Sequence, residues 1–240
     1  MWFTIRKFLF LACLSSYYPI FSSFANSKST FQDSIYYPPK LNIQHSLTSY
    51  KLEVKIDPTQ KLENLKAIIP CLKIDIRYAS TNNFMHQKAY SSAVAFLRIP
   101  AALALKKVQD ALMKRGLGLV IYDAYRPYSV TLKIFDIVKN SNYAASGTTG
   151  SIHNRGCAVD LSLIDLKTGQ ELPMPTAFDS FSEAADSRYM NLSALQILNR
   201  SILTKYMNQF GFTQLKTEWW HFDFKDWQRF RLIDIPFEQL

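Results

Sequence analysis

Three cysteines in 240 residues are too few for a disulfide scaffold, and none stands in a C-x-x-C pair that would suggest a thiolate metal site. Seven glycines and ten prolines exclude a collagen-like or low-complexity chain. H-E-x-x-H, G-x-S-x-G and a glycine-rich phosphate loop are all missing, which removes the commonest signatures of zincin proteases, serine hydrolases and P-loop enzymes. The formal charge is +9, yet the lysines and arginines are scattered, with no basic run and no stacking-aromatic motif, so nucleic acid is not indicated. What is present is 48% hydrophobic, 14% aromatic and 20% charged residues. That is a globular composition, long enough for one sizeable core.

The first 25 residues stand apart. Arg6 and Lys7 precede an apolar stretch, and Ser23-Phe24-Ala25 places small residues three and one positions before Asn26. This is the pattern of a secretory signal peptide over residues 1–25. Ser15, Ser16 and Pro19 interrupt the stretch, which is too short to span a membrane. An exported chain, periplasmic or secreted, with no transmembrane span after cleavage, is the expectation. Cys13 would leave with the signal, so only Cys71 and Cys157 could bridge.

Residues 26–66 read as a polar lead-in. It contains one alternating run, "KLEVKID", in which Leu52, Val54 and Ile56 share a face and predict a short strand. Residues 67–240 form the expected domain. "IPAALALKKVQDALMKRGLG" predicts a helix with Pro100 in its first turn and Gly116 at its end. "LGLVIYDAY" predicts a buried strand, "YSVTLKIFDIVKN" a helix, "CAVDLSLID" an alternating strand, "LSALQILNRSILTKYMNQF" a helix and "EWWHFDF" a last strand. Strands and helices do not alternate regularly, so the fold class is α+β.

Three segments carry candidate chemistry. In "SIHNRGCAVDLSLI", period two sends Cys157, Val159, Leu161 and Leu163 to one face and Ala158, Asp160 and Ser162 to the other. Asp160 thus points away from the packed side, and His153 sits in the loop feeding that strand. Imidazole and carboxylate are both ordinary metal ligands. On this segment alone, a solvent histidine and a polar sheet face explain the residues equally well. In "TEWWHFDF", His221 is a natural third ligand, and Glu218 could sit beside the metal as a base if the chain bends just after it. Trp219 and Trp220 read as packing residues. In "YDAYRP", Arg126 follows a strand and is held by Pro127, so it could stabilise an oxyanion; alone it reads as a surface residue.

These segments resemble a known family. "SIHNRGCAVDL" fits the S-x-H-x-x-G-x-A-x-D pattern of the zinc D-alanyl-D-alanine peptidases, and "EWWHF" resembles their dipeptidase branch, the vancomycin-resistance type. "DIRYASTNNFMHQKAY", "YDAYRP" and "PTAFDSF" are similar to that branch in the same order. The resemblance implies a small antiparallel sheet with flanking helices, the hedgehog-like fold of that family, and one zinc ion per chain. It implies His153, Asp160 and His221 as ligands, Glu218 as general base and Arg126 as transition-state stabiliser. It implies Asp179 as the group that binds the substrate's free amine and Ser151 as a residue near its carboxylate. The implied reaction is hydrolysis of D-Ala-D-Ala or a closely related dipeptide. A stem-peptide D,D- or L,D-carboxypeptidase and a non-catalytic wall-binding protein are the alternatives. The stretch between Arg126 and Ser151 is shorter than in the resistance enzymes, which implies a more open pocket.

Overall fold

The structure, a computed structural model, describes residues 41–139 and 148–240. The expected signal peptide, the first part of the lead-in and residues 140–147 of the connection between Arg126 and Ser151 lie outside the described residues. In chain order the elements are β1 (Ile43–Gln44), α1 (Leu47–Ile56), β2 (Leu62–Asn64), α2 (Leu65–Ile68), β3 (Lys73–Ile74), β4 (Phe96–Arg98) and α3 (Ile99–Met113). Then come β5 (Leu117–Asp123), α4 (Tyr128–Val138), β6 (Ala158–Asp165), α5 (Ala194–Gln209), β7 (Phe212–Gln214), β8 (His221–Phe224) and β9 (Leu232–Ile233). Among the described residues, no helix is long and apolar enough to cross a membrane.

The architecture is α+β. A five-stranded sheet of order β3-β5-β6-β8-β7 is antiparallel except at one edge, where β3 runs parallel to β5. That parallel edge, like the parallel β1–β9 ladder, departs from the expected antiparallel pairing. β1 pairs with β9, and β2 with β4, in two small accessory ladders.

The chemistry of each segment explains the frame. On α3, Ala101, Leu105, Val108 and Leu112 recur at helical spacing and are wholly buried, and Gly116 takes a φ of +72° in the turn beyond the helix. On β6 the alternation holds. Cys157, Val159, Leu161 and Leu163 enter the main core, while Ile164 joins Val120, Tyr122 and Phe178 in a cluster on the opposite face. The sheet is therefore covered on both sides, and Asp160 is only 3% exposed. A carboxylate placed there must find a partner. Ser193 and Gln196 cap α5 reciprocally, which fixes where that helix starts. Cys71 and Cys157 are both free, one exposed and one buried, and burial pushes the Cys157 thiol up to about 12. Cys157 is a packing residue.

Two expectations are corrected. The run "KLEVKID" is helical, not extended: it is the last part of α1. Ser46 caps that helix, and Tyr50 is its buried anchor, its hydroxyl accepting from the Leu62 amide at 2.6 Å. Leu52 and Ile56, expected on an apolar strand face, point to solvent. Local capping and one long-range hydrogen bond outweigh a three-residue alternation. The last strand begins only at His221, because Glu218 to Trp220 form a turn, closed by the His221 amide donating to the Glu218 carbonyl at 3.3 Å.

Candidate active site

Sheet register assembles the site. Asp160 on β6 lies opposite Asp123 on β5 and opposite His221 on β8, so three polar side chains meet on one face of the sheet. The loop before β6 brings a fourth. Ser151 accepts from the His153 amide, and Gly156, at a φ of +68°, turns the chain into the strand. Asn154, wholly buried, donates to the Arg126 carbonyl at 2.8 Å and to Thr131 Oγ1 at 2.7 Å, tying this loop to the end of β5 and the start of α4. A Cβ on Gly156 would lie 2.4 Å from Leu62 Cδ2, on a backbone that side chains rarely adopt. Gly156→Ala is therefore expected to destabilise the fold by about 1–3 kcal/mol, read as a melting midpoint lower by roughly 2–12 °C. An unchanged melting curve would contradict the tight packing of this turn.

His153 donates from Nδ1 to the Ala124 carbonyl at 2.6 Å, which leaves Nε2 turned toward the sheet. His153 Nε2 lies 3.2 Å from His221 Nδ1 and 3.4 Å from Asp160 Oδ2, and His221 Nδ1 lies 3.0 Å from Asp160 Oδ1. A tetrahedral ion with ligand bonds of about 2.0–2.1 Å separates its ligands by about 3.3–3.4 Å. The three spacings match that edge length within a few tenths of an ångström. Asp160 Oδ1, fully buried, accepts no hydrogen bond within the protein, as expected of an oxygen whose partner is a cation. Two imidazoles and one carboxylate match the three-ligand donor set of catalytic, rather than structural, metal sites.

Glu218 stands beside this trio, not in it. Its Oε2 is 4.0 Å from His221 Nδ1, brought to the same side by the turn at Trp219 and Trp220. Burial, reinforced by the nearby Asp160 charge, raises its carboxyl above the usual range despite the opposing histidines and Arg126.

Arg126 is no surface residue. Its Nε and Nη2 reach Asp123 Oδ2 at 2.9 and 2.7 Å, its Nη2 is 4.0 Å from Asp160 Oδ2, and its guanidinium lies over the Tyr78 ring. Asp123 is wholly buried and also accepts from the Tyr90 hydroxyl at 2.7 Å and the Ala124 amide at 2.9 Å. Sequence reasoning passed over Asp123; its place three residues before Arg126 was the available signal.

Asp179 comes from a distant loop and adopts a φ of +61°, uncommon for an aspartate. Its Oδ1 accepts from the Tyr78 hydroxyl at 3.2 Å, while its Oδ2 is buried without a hydrogen bond. Burial, with Asp160 nearby, pushes this carboxyl well above the usual range. Tyr78 was also missed from sequence, where it looks like one aromatic among many.

All seven expected site residues, Arg126, Ser151, His153, Asp160, Asp179, Glu218 and His221, line one cavity of about 310 Å³. That volume is at the small end of ligand pockets. Trp219 is a core residue, its indole donating to Thr176 Oγ1, whereas Trp220 also walls the cavity beside Phe84 and Phe181.

Residues 58–235 match the family model described as D-Ala-D-Ala dipeptidase. The chain belongs to the D-Ala-D-Ala dipeptidase family. It is accordingly a metallopeptidase, and the enzymes of its family supply the comparison. The chain is 34% identical over 165 residues to the D-alanyl-D-alanine dipeptidase of Escherichia coli K12, covering 69% of this chain and 85% of that protein. It is 27% identical over 183 residues to the D-alanyl-D-alanine dipeptidase of Enterococcus faecalis V583, covering 68% and 87%. Among solved structures, the LdcB LD-carboxypeptidase aligns with a TM-score of 0.38 at 25% identity, over 55% of this chain and 61% of that one.

Proposed function

We propose that this chain is a zinc-dependent dipeptidase that hydrolyses D-alanyl-D-alanine, or a closely related dipeptide, to free amino acids. One observation carries the reading: a buried carboxylate with an unbonded oxygen, on Asp179, shares a small cavity with the His153, Asp160 and His221 trio. A carboxyl in the same cavity as these three side chains suits a substrate whose free amine lies close to its scissile bond, because the incoming ammonium would hold that carboxyl ionised. The relatives of Escherichia coli and Enterococcus faecalis are D-alanyl-D-alanine dipeptidases, which supports the same substrate.

In this reading His153 Nε2, His221 Nδ1 and Asp160 hold one zinc ion per chain. When bound, zinc supplies Lewis acidity, polarising the scissile carbonyl and making a water acidic enough to lose a proton near neutral pH. Glu218 takes that proton and later delivers it to the leaving amine. Arg126, held rigid by Asp123, stabilises the negative charge that develops on the carbonyl oxygen. Asp179, oriented by Tyr78, pairs with the substrate amine, and Ser151 lies at the carboxylate end. Anchors at both ends of a dipeptide discriminate against longer chains. From the features of residues 1–25, we place the enzyme outside the cytoplasm, where salvage of wall-derived D-alanine suits a dipeptidase better than interception of a cytoplasmic precursor.

The amine anchor is testable. Wild-type protein should prefer D-Ala-D-Ala over its N-acetyl derivative, and Asp179→Ala should abolish most of that preference. Losing the partner of a buried charge is worth 2–5 kcal/mol, so the fall in kcat/KM for the free dipeptide should be about 30- to 5,000-fold. If Asp179→Ala is harmless and the N-acetyl compound is cleaved equally well, the enzyme is a carboxypeptidase acting on longer peptides.

A further inference from the structure

Asp223 was given no part in the site by the sequence, where it looks like one residue of an aromatic strand. In the fold, period two on β8 puts it on the same face as His221, and it lines the same cavity. Its Oδ1 lies 2.8 Å from His221 Nε2. We infer that Asp223 is a positioning residue for the metal centre, fixing His221 in the tautomer that offers Nδ1 to the ion. This inference rests on the metal-site reading above.

The chemistry follows from the donor inventory. An ionised carboxylate only accepts, so the contact places a proton on His221 Nε2 and leaves the Nδ1 lone pair free toward His153 and Asp160. His153 is held in the opposite sense. It donates from Nδ1 to the uncharged Ala124 carbonyl and presents Nε2. The two imidazoles thus use different nitrogens, each selected by its hydrogen-bond partner: a carboxylate for His221, and for His153 a backbone carbonyl with the Asp123 carboxylate 3.8 Å from Nδ1. A carboxylate behind a ligating imidazole orients the ring and makes it a stronger donor. The direct hydrogen bond that orients His153 is accepted by the backbone, whereas the one that orients His221 is accepted by a side chain that a mutation can remove.

The test is the zinc dissociation constant, measured by competition with a chromophoric chelator, alongside the melting midpoint of the metal-free protein. Asp223→Ala should weaken zinc binding by about 10- to 100-fold while the metal-free melting midpoint stays close to wild type. Asp223→Asn keeps an acceptor for Nε2–H but loses the charge, so its affinity should fall between the two. Wild-type affinity in both variants would overturn the inference and leave the metal site standing. If Asp223→Ala lowers the metal-free melting midpoint, the comparison rests on Asp223→Asn, and unchanged affinity there overturns it. Failure of the wild-type chain to bind zinc would overturn the metal-site reading and this inference with it.

Discussion

Glu218→Ala is expected to retain its zinc and to lower kcat for D-Ala-D-Ala by about 10²- to 10⁴-fold, the usual worth of a positioned general base. Its carboxylate is 4.0 Å from His221 Nδ1, whereas the three ligand atoms lie 3.0–3.4 Å from one another. Removing it therefore takes no donor from the ion. The turn that places it is closed through its backbone carbonyl, which alanine keeps. Burial raises its carboxyl above the usual carboxylate range, the direction a general base needs. Zinc content by elemental analysis and turnover by D-alanine release check this together. Loss of zinc in step with activity would make Glu218 a ligand and remove the general base from the mechanism.

Arg126→Ala should damage both rate and stability. A lost oxyanion donor lowers kcat by about 10²- to 10³-fold. Asp123, wholly buried, would then keep hydrogen bonds from Tyr90 and the Ala124 amide, with His153 Nδ1 3.8 Å away, and breaking a buried ion pair costs about 3–5 kcal/mol. The remaining hydrogen bonds place the cost near 3 kcal/mol, a melting shift of roughly 6–12 °C. Arg126→Lys separates the two effects. Its charge should restore part of the stability beside Asp123, but a lysine has no fork that can hold Asp123 and face the substrate at once, so kcat should stay low. A change in KM alone, with kcat intact in both variants, would make Arg126 a binding residue.

The ease of reading this site from sequence follows where its determinants reside. Asp160 was legible because β6 is long enough for period two to separate its faces, and the alternation survived folding. His153 and His221 were legible as partners from residue type and from the family resemblance, while the register that brings them together, β6 against β8, is a tertiary fact. Asp179 came only from the family resemblance; its positive φ and its bond to Tyr78 are tertiary facts about a loop 101 positions away from that tyrosine. Asp123 and Asp223 were overlooked because each sits in a strand whose apolar neighbours dominate the pattern. At the level of the fold, β3 has two residues and leaves no periodic trace, so the parallel edge of the sheet was not foreseeable. The misreading of α1 has the opposite cause: a pattern was present, but the Ser46 cap and the buried Tyr50 carried more free energy than three alternating apolar residues.

The most direct measurement is D-alanine release from D-Ala-D-Ala as zinc is titrated into the metal-free protein. No release is expected without metal, and the rise should saturate at one zinc per chain. Full occupancy of the site at that ratio without release of D-alanine would contradict the proposed dipeptidase activity.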